Sequence, residues 1–300
     1  MSTKKIKRFG VDSPFVRLQS EVQQTPQLRQ RLIAKLEGLF EARVITLFAS
    51  FLQPGGFVVD ADAEMLESIL SVEGSTGKLV LIVNSPGGQA LAAERIVNVC
   101  RAYAGGRFEV VVPHMAKSAA TMICFGADEI CMSPTAELGP VDPQLPYKDD
   151  KGNDSWISAS EYVRSYEDLL GKASSGAVPR IEAFLQQLQR YDSRLVQQLR
   201  SAQELSDDIA VRLLQGSMMA GKSEKEIRDA IRIFLLQESK KSHGRMITLD
   251  EAQKCGLRIK KIDLNSEVWN ALWELYVRSN WLVSSRASKL IESKSSSVSA

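Results

Sequence analysis

Two short segments carry residues whose types and spacing suit acyl-transfer chemistry. NSPGG (84–88) follows the apolar run KLVLIV, and Ser118 opens the run SAATMICFGA after FEVVVP. Glycines after a strand form either an ordinary turn or one whose backbone N–H groups point outward as donors to an oxyanion. A serine at a helix start is either an N-cap or a nucleophile whose developing charge the helix N-terminus stabilises. Because both features occur in one chain, a nucleophile at Ser118 stays a candidate beside the N-cap.

The elements around these segments predict an α/β fold. RVITLFASF, KLVLIV, FEVVVP and DEICMS are typical of strands, and helical segments separate them, including DAEMLESILS, with Asp62 as its predicted cap, and QALAAERIVNVCRAY. Strands that alternate with helices indicate parallel β-α-β units of right-handed connection. The carboxyl ends of such strands are where open α/β sheets bind ligands, and NSPGG lies at one of them.

The second half of the chain changes character twice. From about residue 156 to 240 strand-like runs vanish, and Ile181, Phe184, Leu185 and Leu188 repeat at helical spacing. ITLDEAQKCGL (247–257) then returns to the α/β core, with Thr248 as N-cap and Gly256 as the stop.

A last helix carries an aromatic stripe, and SKSSSVSA (293–300) is too polar to predict packing. The predicted organisation is therefore a helical lead (1–41), an α/β core (42–155 and 243–265), a helical insertion (156–242), and an aromatic helix with a disordered tail (266–300). The stripe consists of Trp269, Leu272, Trp273 and Tyr276.

Composition limits the class of protein. The 300 residues carry a net charge of +2 with the two signs interleaved, which does not favour nucleic acid or an anionic membrane as a partner. No apolar run reaches the ~18 to 20 residues of a membrane span, and no signal-peptide pattern opens the chain. Four cysteines without a C-x-x-C pair argue against structural zinc. We expect a cytoplasmic protein without a metal or organic cofactor.

Together the motifs resemble a known family. NSPGG, SAATMICFGADEI, ELGPVDPQ and ITLDEAQKCGL are similar to segments of Clp-type and signal-peptide-peptidase-like serine proteases, above all the serine dehydrogenase proteinase family. The resemblance implies a crotonase/Clp-like superhelical β-α-β core with a helical insertion. It implies Ser118 as nucleophile and the N–H groups of Gly88 and Ala119 as the oxyanion hole.

The general base stays open. The resemblance implies the order Ser118, Asp142, His243, with Asp142 orienting the imidazole. The alternative is a Ser–Lys dyad with Lys172 or Lys148, and Glu137 is a lesser candidate for a supporting carboxylate. His114, the other of the two histidines, is expected to be a packing or cleft-edge residue and not the base.

The resulting expectation is an intracellular serine peptidase that acts on a peptide or protein substrate and forms a homo-oligomer. A partner protein is a further candidate ligand. Two rival classes remain. One is an inactive Clp-like scaffold that binds peptides or proteins, and the other is acyl-CoA chemistry on the same fold. The serine at the helix start and LGPVDPQ argue against acyl-CoA chemistry.

Overall fold

The computed structural model describes residues 13–20, 25–75, 77–148, 154–174, 181–235 and 245–300. Their strands are β1 (Arg43–Ala49), β2 (Lys78–Asn84), β3 (Arg107–Val112), β4 (Met115–Ala116), β5 (Glu129–Met132), β6 (Glu137–Leu138), β7 (Gln144–Lys148), β8 (Asp154–Ser158), β9 (Ile247–Thr248), β10 (Ile259–Lys261), β11 (Lys289–Glu292) and β12 (Ser297–Ser299).

Helices connect most of these strands. They are α1 (Pro14–Ser20), α2 (Pro26–Phe40), α3 (Asp60–Glu73), α4 (Ala90–Ala104), α5 (Ala119–Phe125), α6 (Ala159–Ser174), α7 (Ile181–Leu188), α8 (Ser193–Gln215), α9 (Glu224–Ala230), α10 (Leu249–Lys254) and α11 (Glu267–Ser285). None of the helices within the described ranges is both long and apolar enough to cross a bilayer.

The main sheet has the strand order β10-β5-β3-β2-β1-β11-β12. The first five strands pair in parallel, and β11 joins β1 antiparallel. Nearly every residue of β1, β2 and β3 is buried, as expected where apolar strands are covered on both faces. The strands predicted from the apolar runs are therefore the centre of the sheet.

Two apolar layers cover the sheet. On one face, α3, α4, α5 and parts of α8, α9 and α10 form the larger core, which contains Leu81, Ile96 and Phe125. On the other face, α2 and α11 pack on the alternate strand residues, such as Val80 and Ile82. The period of two along β2 thus divides its side chains between the two layers.

The helices after β8 divide between two packing environments. Ala159 and Val163 of α6 and Val196 and Leu199 of α8 form a small separate cluster, with tyrosines packed against it. Further along α8, Ile209 and Leu213 belong to the larger core. The single helix α8 therefore joins the small cluster to the main body.

The predicted disordered tail is wrong, because residues 289–292 and 297–299 add two strands to the sheet. Their polar side chains find buried partners: the Arg29 guanidinium donates two 2.8 Å hydrogen bonds to Glu292. Lys289 Nζ lies 2.9 Å from both carboxylate oxygens of Asp62. Asp62 is also not the N-cap of α3, since the helix begins at Asp60 and the Asp62 carboxylate accepts the N–H of Val59.

Candidate active site

The NSPGG turn and the start of α5 lie in contact. Ser85 N–H donates to Met115 O, and Lys117 N–H donates to Ser85 O, both at 3.0 Å. A Cβ placed on Gly87 would lie 2.6 Å from Ser118 Cβ, a separation that real side chains do not tolerate. The carboxyl end of β2 therefore holds its glycines directly against the serine.

Ser118 has an unusual backbone conformation. Its φ is 48° and its ψ is −120°, and among the described non-glycine residues only Glu41 also has a positive φ. Such a conformation costs about 1 to 3 kcal/mol and persists where the surrounding structure enforces it. The Ser118 hydroxyl also makes no capping hydrogen bond to α5. Ser118 therefore occupies the N-cap position of α5 without capping the helix through its side chain.

Two backbone N–H groups next to Ser118 make no hydrogen bond within the described ranges. Val58 forms a bridge with the glycine turn through two hydrogen bonds. Val58 N–H donates to Gly87 O at 2.8 Å, and Gln89 N–H donates to Val58 O at 2.9 Å. The N–H of Gly88, between them, is not used, and neither is that of Ala119 in the first turn of α5. A Cβ on Gly88 would lie 2.2 Å from Val58 O, so only glycine fits there.

A cleft of about 570 Å³ opens over these groups, and its walls are mostly apolar. Three of its apolar residues remain substantially exposed: Phe57 at 43%, Leu91 at 58% and Leu205 at 42%. The lining consists of Phe57, Val59, Pro86, Gly88, Gln89, Ala90, Leu91, Ser118, Met122, Val141, Pro143, Gln144, Ala202, Leu205 and Ser206. The cleft thus combines a hydroxyl, a glycine turn and an apolar surface.

Asp142 lies beside the cleft but is not exposed in it. Its neighbours Val141 and Pro143 line the wall, while Asp142 itself is 2% exposed. Its carboxylate accepts hydrogen bonds from the Ser158 hydroxyl and from Ser160 N–H, the latter at 3.1 Å. The carboxylate therefore holds the start of α6 against the cleft wall.

The other candidate residues occupy different places. Lys172 is exposed in the last turn of α6 and is not among the cleft-lining residues. The backbone of Lys148 ends β7. The Glu137 carboxylate forms an ion pair with Nζ of Lys117, the residue directly before Ser118. His243 lies outside the described residues.

His114 packs away from the cleft lining, as predicted. Its ring stacks on Tyr276 with the centroids 5.2 Å apart. Burial lowers the pKa of this imidazole, and nearby Glu137 offsets part of that effect. His114 is therefore a neutral packing residue near neutral pH.

One wall of the cleft comes from α8, none of whose residues the sequence analysis assigned to the site. Ala202, Leu205 and Ser206 of α8 line the same cleft as Ser118. The Ser206 hydroxyl donates a 2.6 Å hydrogen bond to Val141 O. The helical pattern of this segment indicated a buried face, but no signal in it specified which surface the face would meet.

A group of potential metal ligands occurs elsewhere, at the carboxyl groups of Glu109 and Glu129 and the thiol of Cys131. Glu109 is paired with Lys78 and Arg107, and Arg107 also pairs with Glu129. Burial raises the pKa of the Cys131 thiol to about 12, so the thiol stays protonated. These residues therefore form an ion-pair network.

Residues 15–149 match the family model of the ClpP-like SDH-type serine proteinases, a range that includes the glycine turn, Ser118 and Asp142. This part of the chain is therefore similar to that family. The predicted resemblance to the family and the predicted ClpP/crotonase-like α/β fold with parallel strands are confirmed. The ClpP-like SDH-type match ends before α6, so it includes neither α8 nor position 243.

Two curated relatives come from Methanocaldococcus jannaschii, and both are described as uncharacterized proteins. MJ1495 is 30% identical over 133 residues, which are 44% of this chain and 45% of the relative. MJ0137 is 38% identical over 89 residues, 30% of this chain and 31% of the relative. The chain thus spans less than half the length of either relative.

A solved structure of a mutant of the 1510-N membrane-bound stomatin-specific protease is also similar. It is 17% identical, the alignment covers 80% of this chain and 85% of that one, and the TM-score is 0.43. The alignment therefore covers most of both chains, but the two structures superpose poorly.

Proposed function

We propose that the protein is a serine peptidase that cleaves peptide bonds through an acyl-enzyme at Ser118. The observation that carries this proposal is the Ser118 hydroxyl, which caps no helix and lies in a cleft beside the N–H groups of Gly88 and Ala119. Membership of residues 15–149 in a serine proteinase family supports the same activity.

The proposed reaction has two halves. The Ser118 oxygen attacks the peptide carbonyl while a base takes its proton, and the N–H groups of Gly88 and Ala119 stabilise the resulting oxyanion. The C–N bond breaks as the base returns the proton to the leaving amine. Water then attacks the acyl-serine ester by the same route, and the carboxylic acid product and the free serine are released.

For the base we retain His243, with Asp142 orienting its ring. The supporting points are that Asp142 is buried directly beside the cleft wall, whereas Lys172 is exposed and is not among the lining residues. With a histidine base, turnover rises with pH through a pKa near 6.5, and His243→Ala and Asp142→Asn lose most of the rate. A lysine base predicts a rise at higher pH and an active His243→Ala variant.

The cleft favours an apolar side chain of the substrate. Phe57, Leu91 and Leu205 line it and leave much of their apolar side chains exposed. Burying one Leu-sized side chain there contributes roughly 1.5 to 3 kcal/mol of binding. We therefore propose polypeptide substrates cut next to an apolar residue. A homo-oligomeric assembly and a cytoplasmic location remain predictions.

The proposal is tested by a fluorophosphonate probe and a fluorogenic peptide library. We expect Ser118→Ala to keep its fold by circular dichroism and to lose both labelling and turnover. Ser206→Ala is the matched control, because its hydroxyl also belongs to a cleft-lining residue but bonds to Val141 O. Undiminished labelling of Ser118→Ala contradicts the assignment, and a wild-type protein that binds peptides without labelling favours the scaffold.

A further inference from the structure

A buried threonine hydroxyl joins α5, the helix that begins after Ser118, to the loop that leads into the cleft wall at Val141 and Pro143. Thr121 lies in the first turn of α5 and has no exposed surface. Its Oγ1 lies 2.8 Å from Ala116 O and 2.9 Å from Gly139 O, and it accepts the Gly139 N–H at 3.1 Å. One hydroxyl therefore contacts the strand before the serine and the segment after β6.

The Gly139 segment is fixed to Ser118 from a second direction. The Lys117 side chain packs so tightly on Gly139 that a Cβ there would lie 2.6 Å from Lys117 Cδ. Lys117 Nζ also pairs with Glu137 and donates to Leu138 O at 3.3 Å. Because Val141 and Pro143 follow directly and line the cleft, this segment positions the wall that faces the serine.

Of the two side chains that contact the Gly139 segment, Thr121 is the one that belongs to α5. Ser118 O accepts the N–H of Met122, the residue after Thr121, so any rotation of the first turn of α5 moves the serine and the Ala119 N–H together. Removal of the hydroxyl leaves the Gly139 N–H buried without an acceptor, which costs about 1 to 3 kcal/mol locally. That cost is relieved only if α5 and the Gly139 loop shift relative to each other.

We propose that Thr121 is a positioning residue for the reaction at Ser118: its hydroxyl sets the distance between the nucleophile with its Ala119 N–H donor and the cleft wall at residues 139–143. This inference rests on the proposed peptidase function. Misplacement of reacting groups by about 1 Å costs on the order of 10²-fold in rate, so a small shift of α5 is sufficient for a measurable loss.

The test compares Thr121→Val, which removes the hydroxyl at constant volume, with Thr121→Ser, which retains it. For Thr121→Val we expect kcat to fall by about tenfold or more while KM changes by less than about twofold, because the apolar walls that bind substrate remain. Thr121→Ser restores kcat to within about threefold of wild type. Rates are normalised to the folded fraction measured by circular dichroism.

Thr46→Val is the matched control. Thr46 is a fully buried threonine of β1 whose Oγ1 lies 3.4 Å from Glu292 O, outside the cleft lining. We expect it to lose stability without losing kcat. If Thr121→Val does not fold, Thr121→Cys, a weaker donor, replaces it, and kcat is expected to fall below that of Thr121→Ser.

Two results overturn the inference: a Thr121→Val or Thr121→Cys enzyme with the kcat of Thr46→Val, or a Thr121→Ser enzyme as slow as Thr121→Val. In either case Ser118-dependent turnover of the wild type leaves the peptidase proposal intact. A wild-type protein without such turnover overturns both proposals.

Discussion

At the scale of single residues, the site depends on two backbone positions of positive φ that lie against each other. Ser118 has φ 48° and Gly87 has φ 104°, and only glycine fits at position 87 because a Cβ there would lie 2.6 Å from Ser118 Cβ. The strain at Ser118 persists only where the surrounding structure enforces it. The turn and the serine are therefore one unit, although about thirty residues separate them.

We predict that Gly87→Ala strongly lowers turnover. The new Cβ would lie 2.6 Å from both Lys117 O and Ser118 Cβ, so the turn and the serine must move apart. We expect kcat/KM to fall by on the order of 10²-fold or more, measured with the peptide found in the library screen.

The control is Gly74→Ala, at another glycine of positive φ, where a Cβ would meet nothing within 4 Å. It shares the backbone strain of a side chain at positive φ, about 1 to 3 kcal/mol, but not the displacement of Ser118. Equal activity of the two variants would contradict the coupling of Gly87 to the serine.

Sequence alone indicated these residues as candidates because local residue types carry the signal. A Gly-Gly step after an apolar strand and a serine before small residues each specify backbone geometry. Asp142 shows the limit: its position near the cleft agrees with the sequence, but its bonds to Ser158 and Ser160 depend on a later strand and helix. Contacts between distant segments leave no pattern in either one.

At the scale of elements, the two halves of α8 pack in different hydrophobic clusters. Its first half packs in the small tyrosine-lined cluster, its second half packs in the main core, and Ala202, Leu205 and Ser206 between them form a cleft wall. Sequence periodicity predicted a helical segment there. It could not reveal the division, because the period of a helix fixes which residues share a face and not what covers them.

We predict that Leu205→Glu lowers kcat/KM for substrates with an apolar side chain at the cleavage site by about tenfold or more. The substitution puts a charge on a wall that buries apolar surface, and Leu205 is 42% exposed, so the fold tolerates it. The measurement is kcat/KM for paired peptides that differ only in Leu against Asp at that site.

Leu185→Glu serves as the control, since Leu185 is 48% exposed on α7 and does not line the cleft. It should leave both peptides unaffected. A Leu205→Glu enzyme with unchanged selectivity would argue that the substrate does not contact α8.

At the scale of the whole molecule, a buried carboxyl group makes stability depend on pH. Burial raises the pKa of Asp207 on α8 from 3.8 to about 7; Arg228, 3.5 Å away, opposes that rise, and Asp142 and Glu204 add to it. The protonated form is therefore favoured in the folded state. Its contribution to stability is complete below pH ~4 and is lost as the pH rises through about 7.

We predict that Asp207→Asn removes this dependence. Between pH 5 and pH 8 the wild type should lose about 1 to 3 kcal/mol of unfolding free energy relative to the variant, measured by urea denaturation. Asp208→Asn, at an exposed neighbour paired with Arg212, should behave like wild type. Parallel pH profiles for wild type and Asp207→Asn would show that Asp207 ionises normally.

The pairing of β1 with β11 also governs the order in which the molecule can form. Thr46 and Glu292 are register partners 246 residues apart. At about 5 to 20 residues per second, a ribosome needs roughly 12 to 50 s to synthesise the stretch between them. During that interval β1 is an edge strand with an open row of backbone groups, and Arg29 has no carboxylate to pair with. Until β11 is synthesised, that edge of β1 must therefore be shielded, because it otherwise pairs with a strand of another protein.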